Sequence, residues 1–203
     1  MRSFRGAAAV GMTNRGNVSL RRRQFLLAAT LLGTARCVTA QQCRPTPRDA
    51  LGPFYLPNAP EQSELCSSGP DGNARLIVSG RVLGAPDCKP LAGALVEVWH
   101  ADANGDYSGF TRGKKDNAAC LLRASIKTDA EGRYRFLTIV PAEYPGRPQH
   151  IHYRVSHAGH ATLVTQLYFV RERGVADELV VALRRDDRGV SRAAFEITLA
   201  RAG

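Results

Sequence analysis

Two histidines separated by one residue, His150 and His152, have the spacing in this sequence that most clearly suits chemistry. If they begin a β-strand, both side chains lie on one face, because successive side chains of a strand alternate between faces. Their Cα atoms are then roughly 6.5–7 Å apart, which lets two imidazoles converge on one metal ion. Ile151 would point into the core between them. From the spacing alone, such a pair is more often two half-exposed histidines than a metal site, and both interpretations stay open.

The loop before these histidines has the composition of a rigid, positioned loop. Residues 145–148 contain two prolines and one glycine, and Tyr144 precedes the first proline, so we expect an extended backbone there. Arg147 can place a fixed positive charge beside a site on the strand. The loop contains no cysteine, which excludes a thiolate zinc site locally. A site of two histidines and one carboxylate would need an acid from elsewhere in the chain.

A second segment, Val96–Gly109, ends a predicted strand near Trp99 and continues into a polar turn that contains Tyr107. Tyr107 is a candidate functional side chain because the turn follows directly on a strand. The simpler interpretation of Tyr107 is a tyrosine packed on the surface. The simpler interpretation of His100 is a hydrogen-bonded histidine at a strand end. The spacing of this segment does not decide between them.

Short strands separated by turns must position these residues. The pattern from residue 76 onward has no long helical period, and Asp177–Leu183 fits either a strand or a helix. Seven short strands of this spacing predict an all-β fold, an antiparallel β-sandwich over residues 76–203. Residues 41–75, rich in Pro, Gly, Ser and Asn, predict an extended N-terminal arm laid over it. The predicted strands are Leu76–Val82, Ala94–Trp99, Arg123–Thr128, Tyr134–Ile139, Ile151–Ser156, Leu163–Val170 and Ala193–Leu199.

Residues 1–40 predict an export leader. Arg21 and Arg22 precede an apolar stretch, and small residues through Ala40 follow it, an order that resembles a twin-arginine signal peptide cleaved after Ala40. An ordinary secretory leader is the alternative. The apolar stretch is too short to span a bilayer, so we expect no stable membrane span after cleavage. The protein is therefore expected in the periplasm or outside a bacterial cell.

The distribution of charge argues against a nucleic-acid partner. The formal net charge is +10, but residues 1–40 contain seven of the 28 Lys and Arg residues and no acidic residue. Residues 41–203 therefore carry only +3, without a dense basic cluster that contains aromatic residues. We expect no nucleic-acid binding.

The cysteines predict two disulfide bonds in the exported chain. Of the five cysteines, Cys37 belongs to the leader, which leaves an even number in an oxidising compartment. None of them forms a C-x-x-C motif, so a zinc or redox role is not expected. Three pairings are open among Cys43, Cys66, Cys88 and Cys120.

Three stretches together resemble the intradiol ring-cleavage dioxygenases, the family that includes the catechol 1,2- and protocatechuate 3,4-dioxygenases. They are WHADANGDY, TDAEGRYRFLTIVPAEYPGRPQHIH and TQLYF, and they occur in the order in which the family has them. The likeness begins near GPFYLP at residues 52–57 and continues to the last predicted strand, so it covers most of the chain after the leader.

The resemblance implies a ligand set and a reaction. The family binds iron(III), Fe(3+), through two tyrosinates and two histidines. It opens the ring of a catechol-type substrate with O2 between the two hydroxylated carbons, which gives a muconate-type diacid. Phenolate is a hard anion that suits a trivalent cation. The corresponding ligands in this sequence are Tyr107, Tyr144, His150 and His152.

The resemblance also implies roles for three residues in catalysis. Tyr144 corresponds to the tyrosinate that leaves the metal and takes a proton from the substrate. Arg147 corresponds to the active-site arginine, which would stabilise negative charge that develops on the substrate. Gln166 corresponds to the glutamine that would hold the site through hydrogen bonds.

Two other functions fit the same strands. A secreted β-sandwich binding module without metal or activity has the same architecture. A copper or zinc enzyme could use the two histidines alone, and it would tolerate phenylalanine at Tyr107 and Tyr144. The sequence leaves the oligomeric state open, with a homo-oligomer among the choices.

Overall fold

Ten β-strands form two sheets in the computed structural model, which describes residues 43–66, 75–110 and 120–203. The first sheet contains β1 (Arg75–Gly84), β2 (Lys89–Pro90), β5 (Arg133–Ile139), β8 (Arg184–Arg185), β9 (Ser191–Ala194) and β10 (Ile197–Leu199). The second has the order β4-β3-β6-β7, with β3 (Leu95–Trp99), β4 (Arg123–Lys127), β6 (His150–Ser156) and β7 (Leu163–Tyr168). The described residues also include one turn of 3-10 helix, Asp177–Leu179.

The two sheets enclose one hydrophobic core. Val78 of β1 and Phe136 of β5 are fully buried, as are Val96 of β3 and Ile151 and Val155 of β6. Their positions follow from alternation along each strand, since every second residue points to the same face. Complete burial of such a side chain contributes roughly 1.5–3 kcal/mol, so this core fixes the register of the strands at the edge where the candidate site lies.

The predicted all-β sandwich is confirmed, and six of the seven predicted strands agree with the structure to within two residues at each end. The prediction of one strand over Ala193–Leu199 is wrong. The chain forms β9 and β10 instead, and Phe195 lies between them with its N–H donating to the Ser79 carbonyl at 2.9 Å. A Cβ atom at Gly80 would lie 1.8 Å from the Phe195 carbonyl oxygen, so this close approach requires glycine.

The first sheet is mixed rather than purely antiparallel. β9 and β10 both run parallel to β1 along one side, whereas β5 and β2 pair with its other side in antiparallel fashion. The second sheet is antiparallel throughout. Alternation cannot distinguish parallel from antiparallel neighbours of a long central strand, because it reports only which face each side chain occupies.

Residues 43–66 run along the sandwich and are held by backbone hydrogen bonds. The Thr46 and Asp49 N–H groups donate to the carbonyls of Thr198 and Val164, each at 3.0 Å. Further along, the Leu65 N–H donates to the Leu137 carbonyl at 2.8 Å. The predicted leader over residues 1–40 and residues 67–74 of the predicted arm lie outside the described residues. The described residues contain no helix long and apolar enough to cross a membrane.

Two disulfide bonds select one of the three pairings left open by the sequence. Cys43 is bonded to Cys88, and Cys66 is bonded to Cys120. Both bonds join residues 43–66 to the rest of the chain. The sequence separation is 45 residues for Cys43–Cys88 and 54 residues for Cys66–Cys120. Cross-links over loops of this length restrict the unfolded chain, so they help to keep the arm on the sandwich.

Candidate metal centre

The candidate site lies at one edge of the second sheet. Trp99 ends β3, His150 begins β6 and Tyr168 ends β7, and these three strands are paired side by side in antiparallel register. Antiparallel pairing brings the end of one strand next to the start of its neighbour, so these termini meet at one edge. Two loops and the arm converge on the same edge.

Four donor atoms come together there. The Nε2 atoms of His150 and His152 are 3.1 Å apart, and the Tyr107 hydroxyl lies 3.3 Å from His150 Nε2. The Tyr144 hydroxyl lies 3.4 Å from that of Tyr107. The structure therefore brings together all four side chains that the sequence comparison names as ligands, although 45 residues of chain separate the first from the last.

The histidines are oriented by their surroundings. His150 Nδ1 lies 2.6 Å from the Pro148 carbonyl oxygen, and because a carbonyl only accepts, this nitrogen carries the proton and leaves the Nε2 lone pair free. The His152 ring stacks on Trp99 with ring centroids 5.0 Å apart and planes inclined by 4°. Ile151 between them is fully buried in the core. The two imidazoles thus share one face of β6, as the alternation predicts.

Tyr107 is fixed by the turn after β3. The Asp102 carboxylate accepts hydrogen bonds from the Asn104 and Asp106 N–H groups at 2.7 and 3.0 Å, which closes the turn. Phe54 of the arm stacks on the Tyr107 ring with centroids 4.2 Å apart. Tyr107 is only 4% exposed, so its hydroxyl has little freedom to move.

Tyr144 is held more loosely at the mouth of the site. It begins a β-turn, Tyr144-Pro-Gly-Arg147, in which the N–H of each end residue donates to the carbonyl of the other. Gly146 at the third position has φ +78°, which suits a type II turn with proline before it. Tyr144 is half-buried, and it lines an open depression of about 580 Å³ together with Arg147 and Val170.

Burial keeps Tyr107, His150 and His152 neutral in the absence of a cation. Burial raises the pKa of Tyr107, and the hydrogen bond with Tyr144 raises it further. Burial lowers the pKa of His152 to about 3 and also lowers the pKa of His150. Both imidazoles are therefore unprotonated at neutral pH and have lone pairs available for a metal. The Tyr107 phenol needs a nearby cation to ionise, because burial disfavours its phenolate.

Arg147 and Gln166 contact each other beside this cluster. Arg147 Nη2 donates to Gln166 Oε1 and, at 3.2 Å, to the Tyr168 hydroxyl. Gln166 is fully buried, and its Nε2 donates to the Ala50 carbonyl at 2.7 Å. The Tyr168 hydroxyl donates to Asp49 Oδ2 at 2.8 Å.

His100 does not belong to the cluster of donors. It is buried, with Nε2 2.7 Å from Thr138 Oγ1 and Nδ1 2.8 Å from the Ala101 carbonyl. Both nitrogens have partners within the protein, so His100 is a hydrogen-bonded histidine at a strand end. Burial lowers its pKa to about 4.

Several residues of the site had no role assigned from the sequence, although Trp99, Tyr168 and Phe54 lie in the stretches that carry the resemblance. Asp49 and Tyr168 complete the network around Arg147, and Trp99 and Phe54 stack on predicted ligands. The GPFYLP motif was a partial signal, since Gly52 lies against His152. A Cβ atom at Gly52 would be 3.0 Å from His152 Cε1.

The donor set fits iron(III). Two phenols and two neutral imidazoles converge, and hard phenolate oxygens suit a trivalent ion whose charge would offset the cost of ionising them. No group of three or more His, Cys, Asp or Glu side chains among the described residues could hold a metal. The cluster at this edge instead takes half of its donors from tyrosine.

The all-β sandwich with two tyrosines and two histidines at one sheet edge is the arrangement that the sequence resemblance implies. Residues 50–195 match the sequence model of a family described as Dioxygenase. The chain belongs to the intradiol ring-cleavage dioxygenase family.

Known members of the family are similar to this chain over more than two thirds of its length. Catechol 1,2-dioxygenase 2 of Acinetobacter lwoffii is 39% identical over 159 residues, which cover 68% of this chain and 56% of that protein. The solved dioxygenase domain of a dioxygenase and carbohydrate-binding fusion from Streptomyces sp. SirexAA-E is 34% identical, with a TM-score of 0.67. That match covers 78% of this chain and 100% of the domain.

A second solved structure, catechol 1,2-dioxygenase from Acinetobacter sp. ADP1 inhibited by bound mercury, is 31% identical with a TM-score of 0.70. The match covers 78% of this chain and 63% of that structure's chain. The chain spans about half to three fifths of the length of the curated catechol 1,2-dioxygenases that it matches.

Proposed function

We propose that this protein is an exported, iron(III)-dependent intradiol dioxygenase that opens a catechol-type ring between its two hydroxylated carbons with O2. The observation that carries the proposal is the convergence of the Tyr107 and Tyr144 hydroxyls with the two histidine Nε2 atoms. The family to which the chain belongs and the named activities of its relatives support it.

Tyr107, Tyr144, His150 and His152 would hold the iron. When bound, iron(III) would ionise the two phenols and favour the catecholate form of the substrate, whose electron-rich ring is the form that reacts with O2. The neutral imidazoles would bind without a competing proton at physiological pH, because burial lowers the pKa of both. The rest of the chemistry depends on how this chain positions its own groups.

The two tyrosines differ in the freedom that substrate binding requires. Tyr107 is buried and stacked under Phe54, whereas Tyr144 is half-buried in a β-turn at the depression. Tyr144 is therefore the residue that can swing away to admit the substrate. Its phenolate oxygen can accept a proton from a catechol hydroxyl as it leaves, a general-base role.

Arg147 lines the same depression as Tyr144. Its guanidinium is always charged and can donate several hydrogen bonds, so it can stabilise negative charge on a bound catecholate. Gln166 accepts a hydrogen bond from Arg147 and is itself anchored to the Ala50 carbonyl. Gln166 therefore restricts the position of the guanidinium from the side away from solvent.

Incubation of the iron-loaded protein with catechol under 18O2 tests the proposal. Intradiol cleavage predicts a muconate-type diacid that contains both labelled oxygen atoms, with one in each new carboxylate. Arg147→Gln is expected to lower kcat/KM by roughly 100-fold, because it removes charge stabilisation at the reacting ring. Cleavage next to the diol, rather than between its carbons, or oxidation to a quinone without label would contradict the proposal.

A further inference from the structure

We infer that Asp49 on the arm and Tyr168 at the end of β7 are positioning residues that hold the Arg147 guanidinium at the metal centre. This inference rests on the proposed function and extends it to two residues to which the sequence assigns no role. It makes the arm a part of the active site rather than a cover over the sandwich.

A continuous set of contacts leads from the arm to Arg147. The Tyr168 hydroxyl donates to Asp49 Oδ2 at 2.8 Å and accepts from Arg147 Nη2 at 3.2 Å. It also lies 3.0 Å from Gln166 Oε1, but one hydroxyl has only one proton. The carboxylate is the stronger acceptor, so this proton is directed to Asp49 and the hydroxyl lone pairs face Arg147.

The elements that hold this network are rigid. Gln166 is fully buried and Tyr168 is 3% exposed, so neither side chain can change its rotamer without disturbing the sheet edge. The Tyr168 ring also lies beside His150, with ring centroids 5.8 Å apart.

Hydrogen bonds between the arm and β7 hold Asp49 in place. The Asp49 N–H donates to the Val164 carbonyl at 3.0 Å, and Thr165 Oγ1 donates to the Pro47 carbonyl at 2.8 Å. Gln166 Nε2 donates to the Ala50 carbonyl. Three successive residues of β7 thus bind the arm on either side of Asp49, which sets the distance of its carboxylate from Tyr168.

The indirect contact preserves the charge of Arg147 for catalysis. Among the described residues, Arg147 forms no ion pair with a carboxylate, and the oxygens that it contacts on Gln166 and Tyr168 are neutral. A direct pair with Asp49 would neutralise much of the charge and occupy the donors of the guanidinium. Placing Tyr168 between them orients Arg147 and leaves its other donors for a substrate.

The test is a double-mutant cycle in the iron-loaded protein with catechol as substrate. Tyr168→Phe removes one hydroxyl and Asp49→Asn removes one charge, each in the native chain and in an Arg147→Gln background. In the native chain we expect kcat to fall roughly 10- to 100-fold with KM little changed, because the guanidinium loses its position. In the Arg147→Gln background the same substitutions should change kcat less than about twofold, because they act through Arg147.

A second readout needs no turnover. In the iron-free protein, NMR of the arginine side-chain N–H groups should show a distinct Arg147 signal, assigned by its loss in Arg147→Lys. Tyr168→Phe should average this signal with those of exposed arginines. Tyr134→Phe is the matched control, since it removes a hydroxyl that donates to the Phe195 carbonyl at 2.6 Å outside the network. It should leave both kcat and the Arg147 signal unchanged.

The outcomes separate this inference from the proposed function. A native iron-loaded chain that opens no catechol overturns the proposed function, and the inference with it. An active native chain whose kcat is unaffected by Tyr168→Phe and Asp49→Asn overturns the inference alone. Equal losses in the native and Arg147→Gln backgrounds would likewise overturn it, because they would indicate a purely structural role.

Discussion

Tyr107 and Tyr144 have the same side chain but differ in burial and packing. Tyr107 is buried under an aromatic ring from the arm, while Tyr144 is half-buried in a short turn beside a depression. A buried ligand contributes to holding a metal, and a movable one can exchange with substrate. The two tyrosines should therefore respond differently to the loss of a hydroxyl.

We expect Tyr107→Phe to lose iron and Tyr144→Phe to keep it. Tyr107→Phe removes a buried donor, whereas Tyr144→Phe removes the ligand that, in the proposed mechanism, leaves during turnover and acts as general base. Tyr144→Phe should retain most of its iron and lose at least roughly 100-fold in kcat. Iron content and kcat, with Tyr134→Phe as the control, check this. Full iron and activity in both variants would favour a site made of the two histidines alone.

His100 predicts a pH dependence of stability. Burial lowers its pKa from 6.5 to about 4, so the unfolded chain binds a proton there below pH 6.5 that the folded chain does not bind. Its contribution to stability is present above pH 6.5 and is lost as the pH falls towards 4. One such proton corresponds to about 1.4 kcal/mol per pH unit.

Urea unfolding of the iron-free protein between pH 7 and pH 4 measures this dependence. His100→Asn should reduce the slope of the free energy of unfolding against pH by about one proton, while it lowers stability at pH 7. His157→Asn is the control, because this histidine is half-buried on a turn away from the site. An identical slope in His100→Asn and the native chain would contradict the assignment.

The sequence predicted the donors of the site unevenly. The spacing of His150 and His152 follows from strand alternation, but Tyr107 and Tyr144 could be named only through a resemblance to a family. The contact between Asp49 and Tyr168 could not be predicted, although Tyr168 lies in TQLYF, because 119 residues separate the two partners and no local pattern reports such a contact. This contact depends on where the arm crosses β7.

At the scale of elements, the turns around the site are as specific as its side chains. Gly105, in the turn that carries Tyr107, has φ +84° and packs against Tyr144. A Cβ atom there would lie 2.9 Å from Tyr144 Cβ. This glycine therefore sets the distance between the two loops that supply the tyrosines.

We expect Gly105→Ala to weaken iron binding and Gly189→Ala to leave it unchanged. Both glycines have positive φ, at +84° and +77°, so both substitutions should cost about 1–2 kcal/mol of stability from backbone strain. Only Gly105→Ala also pushes on Tyr144, because a Cβ atom at Gly189 meets nothing within 4 Å. Melting temperature and iron affinity separate the two effects. Equal iron affinity in both variants would show that the contact does not matter.

The strand predictions were accurate where alternation decides and wrong where it does not. The alternation of apolar and polar residues in the sequence predicted β3, β6 and β7, which carry the site, to within two residues. They joined β9 and β10 into one strand, because the interruption at Phe195 depends on Gly80 of a distant strand rather than on the local sequence. The disulfide pairing was open for the same reason, since it depends on the path of the arm.

At the scale of the whole molecule, one proposal, export of the chain, accounts for the leader, the two disulfides and the arm that they hold. We propose that the chain is exported by the twin-arginine route and cleaved after Ala40. The disulfides Cys43–Cys88 and Cys66–Cys120 support export, since such bonds persist in oxidising compartments. They hold the arm that supplies Asp49 and Phe54 to the site.

Replacement of Arg21 and Arg22 by lysine tests the route. We expect the full-length chain to accumulate in the cytoplasm, because the paired arginines are the address that this route reads. Cell fractionation and N-terminal sequencing of the native exported chain, with Gln41 expected as its first residue, measure the result. Export of the Arg21→Lys, Arg22→Lys variant at the native level would indicate an ordinary secretory leader instead.

The absorption spectrum of the purified, iron-loaded protein, with and without catechol, tests the central claim most directly. Two tyrosinates on iron(III) predict a visible charge-transfer band that gives the protein a colour. Anaerobic addition of catechol should shift that band to longer wavelength as the substrate replaces one tyrosinate. A colourless protein that binds no iron after reconstitution, or a band that catechol leaves unchanged, would contradict the account.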